Sequence, residues 1–200
     1  MKHVYLIGDS IRLGYAAHVR ALLEGKATVD APEENCRFLQ HTLRFLHEWA
    51  ETASCPPEDI DLVHWNNGSW DVCHFWGDPA PMTSLAQYGQ LLRHVHGQIR
   101  RVFPRARIVF ATTTPVDESR PKFQQGVPVR TNAEIEAFNQ VAKDTMAELR
   151  VPVNDLYLFA QDLNALHDDW VHYTPEGSRA LAGKVVSFME PYLTEVETHE

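Results

Sequence analysis

Short apolar, β-rich runs alternate with longer amphipathic ones along this 200-residue chain, and that alternation limits its fold more than any other feature. His3–Ile7, Ala27–Asp30, Asp61–Trp65, Arg107–Thr112 and Val151–Asp155 have the length and composition of strands. Ile11–Leu23, Phe38–Glu51, Ser84–Phe103, Asn132–Leu149 and Pro175–Leu193 carry apolar residues at helical spacing. Ser84 with Gln87, and Thr131 with Glu134, predict capping boxes, in which side chain and backbone satisfy each other's free donors. Thr174-Pro175 predicts an N-cap with proline at the first helical position. Neighbouring parallel strands need crossover helices. The pattern therefore predicts a single-domain, three-layer α/β/α sandwich with a five-stranded parallel sheet. The domain is expected over residues 1–194, with 195–200 as a polar tail.

A hydrophobic content of 44% over this length supports one sizeable core. The net charge of −9 argues against nucleic acid, whose binding needs clustered positive charge. Arg100-Arg101 is an adjacent basic pair, but it falls at a helix end, where cations suit the dipole. Cys36, Cys55 and Cys73 are odd in number and lack Cys-x-x-Cys spacing, which fits a reducing compartment and offers no zinc framework. The chain enters a strand directly after Met1-Lys2, with no apolar leader and no run of the ~18–20 apolar residues a membrane span needs. A cytoplasmic protein without membrane contact is expected. His94 and His96 are two apart and point different ways on a helix, and no His-Glu-x-x-His occurs, so no metal is predicted. The chain also has no phosphate-binding glycine loop, and no cofactor is expected.

The chemistry-bearing residues cluster at one end of such a sheet. Ligands of open α/β sheets bind beyond the carboxyl ends of the strands. Two long irregular stretches, Asn66–Thr83 and Thr113–Arg130, follow the third and fourth strands. They share that rim with Ser10, at the corner after the first strand, and with Asp169-Trp170-Val171-His172, ahead of the last helix. A serine hydroxyl is a weak nucleophile at neutral pH; an imidazole must take its proton, and a carboxylate must orient the imidazole. Ser10, His172 and Asp169 are the candidates for these roles, with Asp168 as competitor to Asp169 and Asp9 as a structural residue. The plainer alternative makes Ser10 a helix cap and Asp169–His172 a polar turn.

Gly8-Asp9-Ser10-Ile11 and Asp169-x-x-His172 resemble the first and last blocks of the SGNH (GDSL) hydrolase family. Asn154-Asp155-Leu156-Tyr157, preceded by a helix carrying Asn139, is similar too. The resemblance covers essentially the whole domain and implies a flavodoxin-like sheet. It also implies a serine esterase acting through an acyl-serine intermediate on a small-molecule ester. Two middle blocks depart from the family pattern. Gly68-Ser69-Trp70-Asp71 has Trp70 where the family carries its oxyanion asparagine, while Asn66, Gly68 and Asp71 satisfy an Asn-x-Gly-x-x-Asp variant. Asn66 is thus the expected donor and Asn67 the alternate. The family's glycine after the second strand is missing from Pro32–Arg37, which leaves the Cys36 backbone N–H as the expected substitute.

Trp65, Trp70, Trp76 and Trp170 lie near the proposed rim in sequence, fit either to stack on sugars or wall an acyl pocket, or to fill the core. Arg120, Lys122 and Arg130 are available to an anionic substrate group, or simply solvated. The polar, tryptophan-rich rim favours small acyl groups, acetyl above all, on a carbohydrate or other polar alcohol. The alternatives are a catalytically impaired binding protein of this fold, or a lipase or acyltransferase. Oligomeric state is not legible.

Overall fold

The computed structural model describes residues 1–194; the tail expected over 195–200 lies outside the described residues. The strands are β1 (Lys2–Ile7), β2 (Ala27–Asp30), β3 (Leu62–Trp65), β4 (Arg107–Ala111), β5 (Phe123–Gln124), β6 (Val127–Pro128) and β7 (Val153–Asn154). The α-helices are α1 (Ser10–Leu22), α2 (Leu39–Ala50), α3 (Leu85–Val102), α4 (Asn132–Glu148), α5 (Leu156–Ala160) and α6 (Pro175–Thr194). Five strands form one parallel sheet in the order β2-β1-β3-β4-β7. Helices α1 and α6 pack together, and α2, α3 and α4 follow one another in a second layer. This is the parallel α/β/α sandwich the alternation predicted, with the flavodoxin-like sheet the resemblance implied.

The central strands are buried on both sides, so they read as apolar runs without alternation. Val4, Leu6, Ile7, Leu62, Val63, Trp65, Val109 and Phe110 have no exposed surface. Burying each aliphatic side chain of this set contributes about 1.5–3 kcal/mol. Both capping boxes form: Ser84 with Gln87 opens α3, and Thr131 with Glu134 opens α4. Thr174 Oγ1 accepts the Gly177 N–H at 3.2 Å and begins α6.

The structure shortens the last strand and adds elements to segments read as irregular. Val151–Asp155 reduces to two residues: Pro152 has no N–H to donate, and the Asp155 side chain turns to cap α5, accepting from Leu158. The second long loop contains the β5–β6 hairpin, whose turn residues Gln125 and Gly126 both have positive φ. Its two-residue strands are too short for periodicity to reveal.

Strand register decides what reaches the rim. Ile7 aligns with Trp65, Trp65 with Phe110, and Ala111 with Asn154. The segments beginning at Gly8, Asn66, Thr112 and Asp155 therefore leave the sheet side by side. No helix among the described residues is long and apolar enough to cross a membrane.

Candidate active site

Ser10 owes its position to its neighbours. Asp9, extended at φ −84° and ψ −153°, caps α1 by accepting the Ile11 N–H at 2.9 Å. Ser10 is thus the first helical residue and not the cap, and a backbone N–H at this position has no intrahelical acceptor. Arg12, only 2% exposed, locks the corner from beneath. Its guanidinium donates to the carbonyls of Gly8, Pro32 and Glu34, tying the end of β1 to the loop after β2. Burial pushes the Asp9 carboxyl up, against the opposing influence of the Ile11 N–H, Arg130, Arg12 and His172.

His172 and Asp169 sit on a tight loop. A bridge between His167 and Tyr173 closes it, and the Asp168 N–H donates to the His172 carbonyl at 2.8 Å. Asp169 Oδ1 accepts the backbone N–H groups of Val171 and His172, each at 2.7 Å. Asp169 Oδ2 lies 2.8 Å from His172 Nδ1, and His172 Nε2 lies 2.9 Å from Ser10 Oγ. An ionised carboxylate only accepts, so Nδ1 carries the proton and Nε2 presents its lone pair to the serine hydroxyl. Partial burial alone would raise the Asp169 carboxyl. Hydrogen bonds from the His172 side chain and from the His172 and Val171 backbone outweigh it and hold the group at about 2. Asp169 is therefore anionic throughout the neutral range. Asp168 makes no side-chain contact with His172; its carbonyl accepts from Arg120. This arrangement can deprotonate a serine hydroxyl.

The residues considered for oxyanion contacts separate into two groups. Asn66 is buried and shares the wall of a small cavity with Asp9, Ile11, Arg12 and Ser69, the residues that flank the Ser10 corner among them. Asn66 Nδ2 donates one hydrogen to the Ala111 carbonyl at 2.8 Å, leaving a second N–H. Asn67 is fully occupied by structure. Its Nδ2 donates to the Arg37 carbonyl and Thr42 Oγ1, and its Oδ1 accepts from Trp65 Nε1 at 2.7 Å. The expectation for Cys36 also needs correction: its N–H donates to the Gly8 carbonyl at 3.1 Å and is spent holding two loops together. Gly68 makes the turn that the block requires. A Cβ there would lie 2.5 Å from Thr113 Oγ1 and 2.8 Å from Tyr88 Oη, at a φ of +147°.

The tryptophans divide as well. Trp65 is a core residue, edge-on to Phe110 and wholly buried. Trp76 is 79% exposed, and its backbone N–H bonds to Gln124. Trp70 and Trp170 are half-buried, Trp70 against Phe75 and Trp170 under the Arg130 guanidinium.

The family model described as the GDSL-like lipase/acylhydrolase family matches residues 6–180. The chain belongs to that family. As a GDSL-like acylhydrolase it is a carboxylic ester hydrolase. Solved structures share its fold at low identity. A lipase/acylhydrolase from Enterococcus faecalis is 19% identical with a TM-score of 0.75, covering 96% of each chain. The acetyl xylan esterase AlAXEase is 15% identical with a TM-score of 0.71, covering 93% of this chain and 98% of its own. A carbohydrate esterase family 3 protein from Talaromyces cellulolyticus is 18% identical with a TM-score of 0.67, covering 98% of this chain and all of its own. No curated protein sequence matches this GDSL-like chain.

Sequence reading of this GDSL-like acylhydrolase passed over Arg12. Its signal was present: Ile11, Arg12, Tyr15, Ala16 and Val19 form one buried helical face, and an arginine on such a stripe must have partners. Arg130 has no comparable local signal, because Ser69, to which it donates, lies 61 positions away. Elsewhere His3, Asp30 and Cys55 each bring one ligand atom to within 4.8 Å of the others, which is enough to consider a cation. Asp30 already accepts from Ser54 Oγ there, at 2.6 Å.

Proposed function

We propose that this acylhydrolase is a serine esterase that removes small acyl groups, principally acetyl, from a carbohydrate or similar polar alcohol. The observation that carries the mechanism is the continuous chain Ser10 Oγ–His172 Nε2–His172 Nδ1–Asp169 Oδ2, with contacts of 2.9 and 2.8 Å. Ser10 Oγ attacks the ester carbonyl as His172 takes its proton. Asp169 stabilises the imidazolium and keeps its orientation. His172 then hands that proton to the leaving alcohol oxygen, and the acyl group remains on Ser10. Water, deprotonated by the same imidazole, releases the acid. The negative oxygen of each tetrahedral intermediate is served by the Ser10 N–H and the free Asn66 amide hydrogen.

Small acyl groups are favoured by what frames Ser10. Asn66 and Ser69 line the cavity beside Asp9, and Arg130, bonded to Ser69, lies over Trp170, two residues before His172, surroundings suited to a hydroxylated leaving group more than to a long alkyl chain. The names of two fold neighbours, an acetyl xylan esterase and a carbohydrate esterase, accord with this reading. The test is hydrolysis of 4-nitrophenyl acetate, butyrate and octanoate by wild type, Ser10→Ala and His172→Ala. Acetate should be the best substrate, and both variants should lose nearly all turnover. Retained turnover in Ser10→Ala refutes the nucleophile, and octanoate faster than acetate refutes the acyl preference.

A further inference from the structure

Arg120, Lys122 and Arg130 follow one another on the loop after β4, but their surroundings differ. Arg120 is neutralised by Asp117 at 2.7 Å and donates to the carbonyls of His167 and Asp168, strapping down the loop that carries His172. Lys122 and Arg130 have no carboxylate within 4.0 Å among the described residues. Both instead lie over Trp170, with Lys122 Nζ 5.9 Å and Arg130 Cζ 5.0 Å from its ring centroid. Lacking a carboxylate partner among the described residues is common for the cations of this chain; sharing one tryptophan ring beside the Asp169–His172 pair is what sets Lys122 and Arg130 apart. In a chain of 27 acidic and 18 basic residues, this places two cations on one ring next to Asp169, with Arg130 also close enough to Asp9 to favour its anion.

Arg130 also links two segments of the rim. Its Nη1 donates to Ser69 Oγ on one, its plane covers Trp170 on the other, and its Nε is buried without a hydrogen-bond partner. A guanidinium held in this way presents its remaining N–H groups as a fork suited to carboxylate or phosphate oxygens. Trp170 adjoins Asp169 and lies two residues before His172. The proton held on His172 goes to the leaving oxygen, so the leaving group must pass this loop.

We propose that Arg130 and Lys122, arrayed on Trp170, form an anion subsite beside Ser10 and select esters whose leaving alcohol bears a carboxylate or phosphate. The proposal rests on the serine-esterase reading and narrows its substrate class. The experiment compares kcat/KM for 4-acetoxybenzoate, its neutral methyl ester and 4-acetoxyphenyl phosphate, which share one acetyl group. Arg130→Gln should lower the anionic-to-neutral ratio about tenfold relative to wild type, the scale of one charge-assisted hydrogen bond. Lys122→Gln, at an exposed side chain, should lower it by a smaller factor. Added salt should compress the wild-type ratio. Arg44→Gln, which removes a distant paired charge, should leave the ratio unchanged. The anion with the larger ratio identifies carboxylate or phosphate as the preferred group.

A ratio unaltered in both Arg130→Gln and Lys122→Gln, or lowered equally by Arg44→Gln, overturns the subsite. Arg130→Lys, which keeps the charge but not the fork, should be intermediate, and it provides a second variant if Arg130→Gln does not fold. If folded wild type turns over none of the acetates, the esterase reading fails separately. Calorimetric titration of Ser10→Ala with 4-acetoxybenzoate then decides the subsite. Saturable binding that weakens when Arg130→Gln is added supports it, and absence of binding overturns it.

Discussion

Replacing Asp71 by asparagine should make the protein more stable at pH 8 than its behaviour at pH 4 would suggest. Asp71 is completely buried, and its Oδ1 accepts the Leu39 N–H and the Thr83 hydroxyl, each at 3.3 Å. It thereby supplies α2 with the N-terminal acceptor that Phe38 cannot provide. Its other oxygen has no partner. Burial raises the carboxyl to about 7, overcoming the Leu39 N–H and Thr83 hydroxyl, which favour the anion. Because the folded value lies above the unfolded one, wild type has its full stability below about pH 4 and loses it as pH rises towards 7. The interval is about three pH units at about 1.4 kcal/mol each, so the loss is about 4 kcal/mol. Asp71→Asn keeps the Oδ1 acceptor but does not titrate. Urea unfolding followed by tryptophan fluorescence at pH 4, 6 and 8 measures both proteins. The variant's stability relative to wild type should improve by about 4 kcal/mol between pH 4 and 8. A difference that stays within about 1 kcal/mol across that range, or moves the other way, refutes a raised Asp71.

Asp169→Asn should reduce kcat for 4-nitrophenyl acetate by about 10³–10⁴, because the amide supports the wrong imidazole tautomer. Asp168→Asn should leave it within about threefold, and equal losses would show that the two carboxylates had been misassigned. Asn66→Ala should lower kcat by about 10²–10³ and also cost about 1–3 kcal/mol as the Ala111 carbonyl loses this donor. Asn67→Ala should cost a similar amount of stability, leaving Trp65 Nε1 and its other partners unmet, with kcat within about threefold. Paired kinetics and urea melts separate these outcomes. Arg12→Met should cost about 3 kcal/mol or more, since the Pro32 and Glu34 carbonyls lose their donor and only the Cys36 N–H still ties the loop after β2 to the Gly8 carbonyl. An unchanged urea midpoint would refute the clamp.

Local physics made much of this architecture legible. Capping boxes at Ser84 and Thr131 join groups three residues apart, and helical periodicity repeats within a turn, so both are visible in short windows. Asp169 and His172 are likewise three apart and meet within one loop. The family blocks marked Ser10 for the same reason: Gly8-Asp9-Ser10 forms a local strand-to-helix corner. Contacts between distant segments were beyond such reading. Ser10 and His172 are 162 positions apart, and they meet because β1, paired between β2 and β3, delivers Ser10 to the rim and α6 packs against α1.

The same limit explains the residues whose roles changed. Cys36 and Asn67 had free backbone or amide donors on paper. Tertiary packing assigned the first to Gly8 and the second to Arg37 and Thr42, because buried donors must be satisfied wherever the fold brings acceptors. Nothing in the order Arg120, Lys122, Arg130 distinguishes one cation from another. Only the path of their loop over Trp170 brings two of them, without carboxylate partners among the described residues, to one ring two residues before His172. The sequence by itself determined the element types, their caps and the local Asp–His pair, through hydrogen bonds and periodicities spanning a few residues. Register and packing decided which donors remain free at the rim, since that depends on strands and loops meeting from opposite ends of the chain.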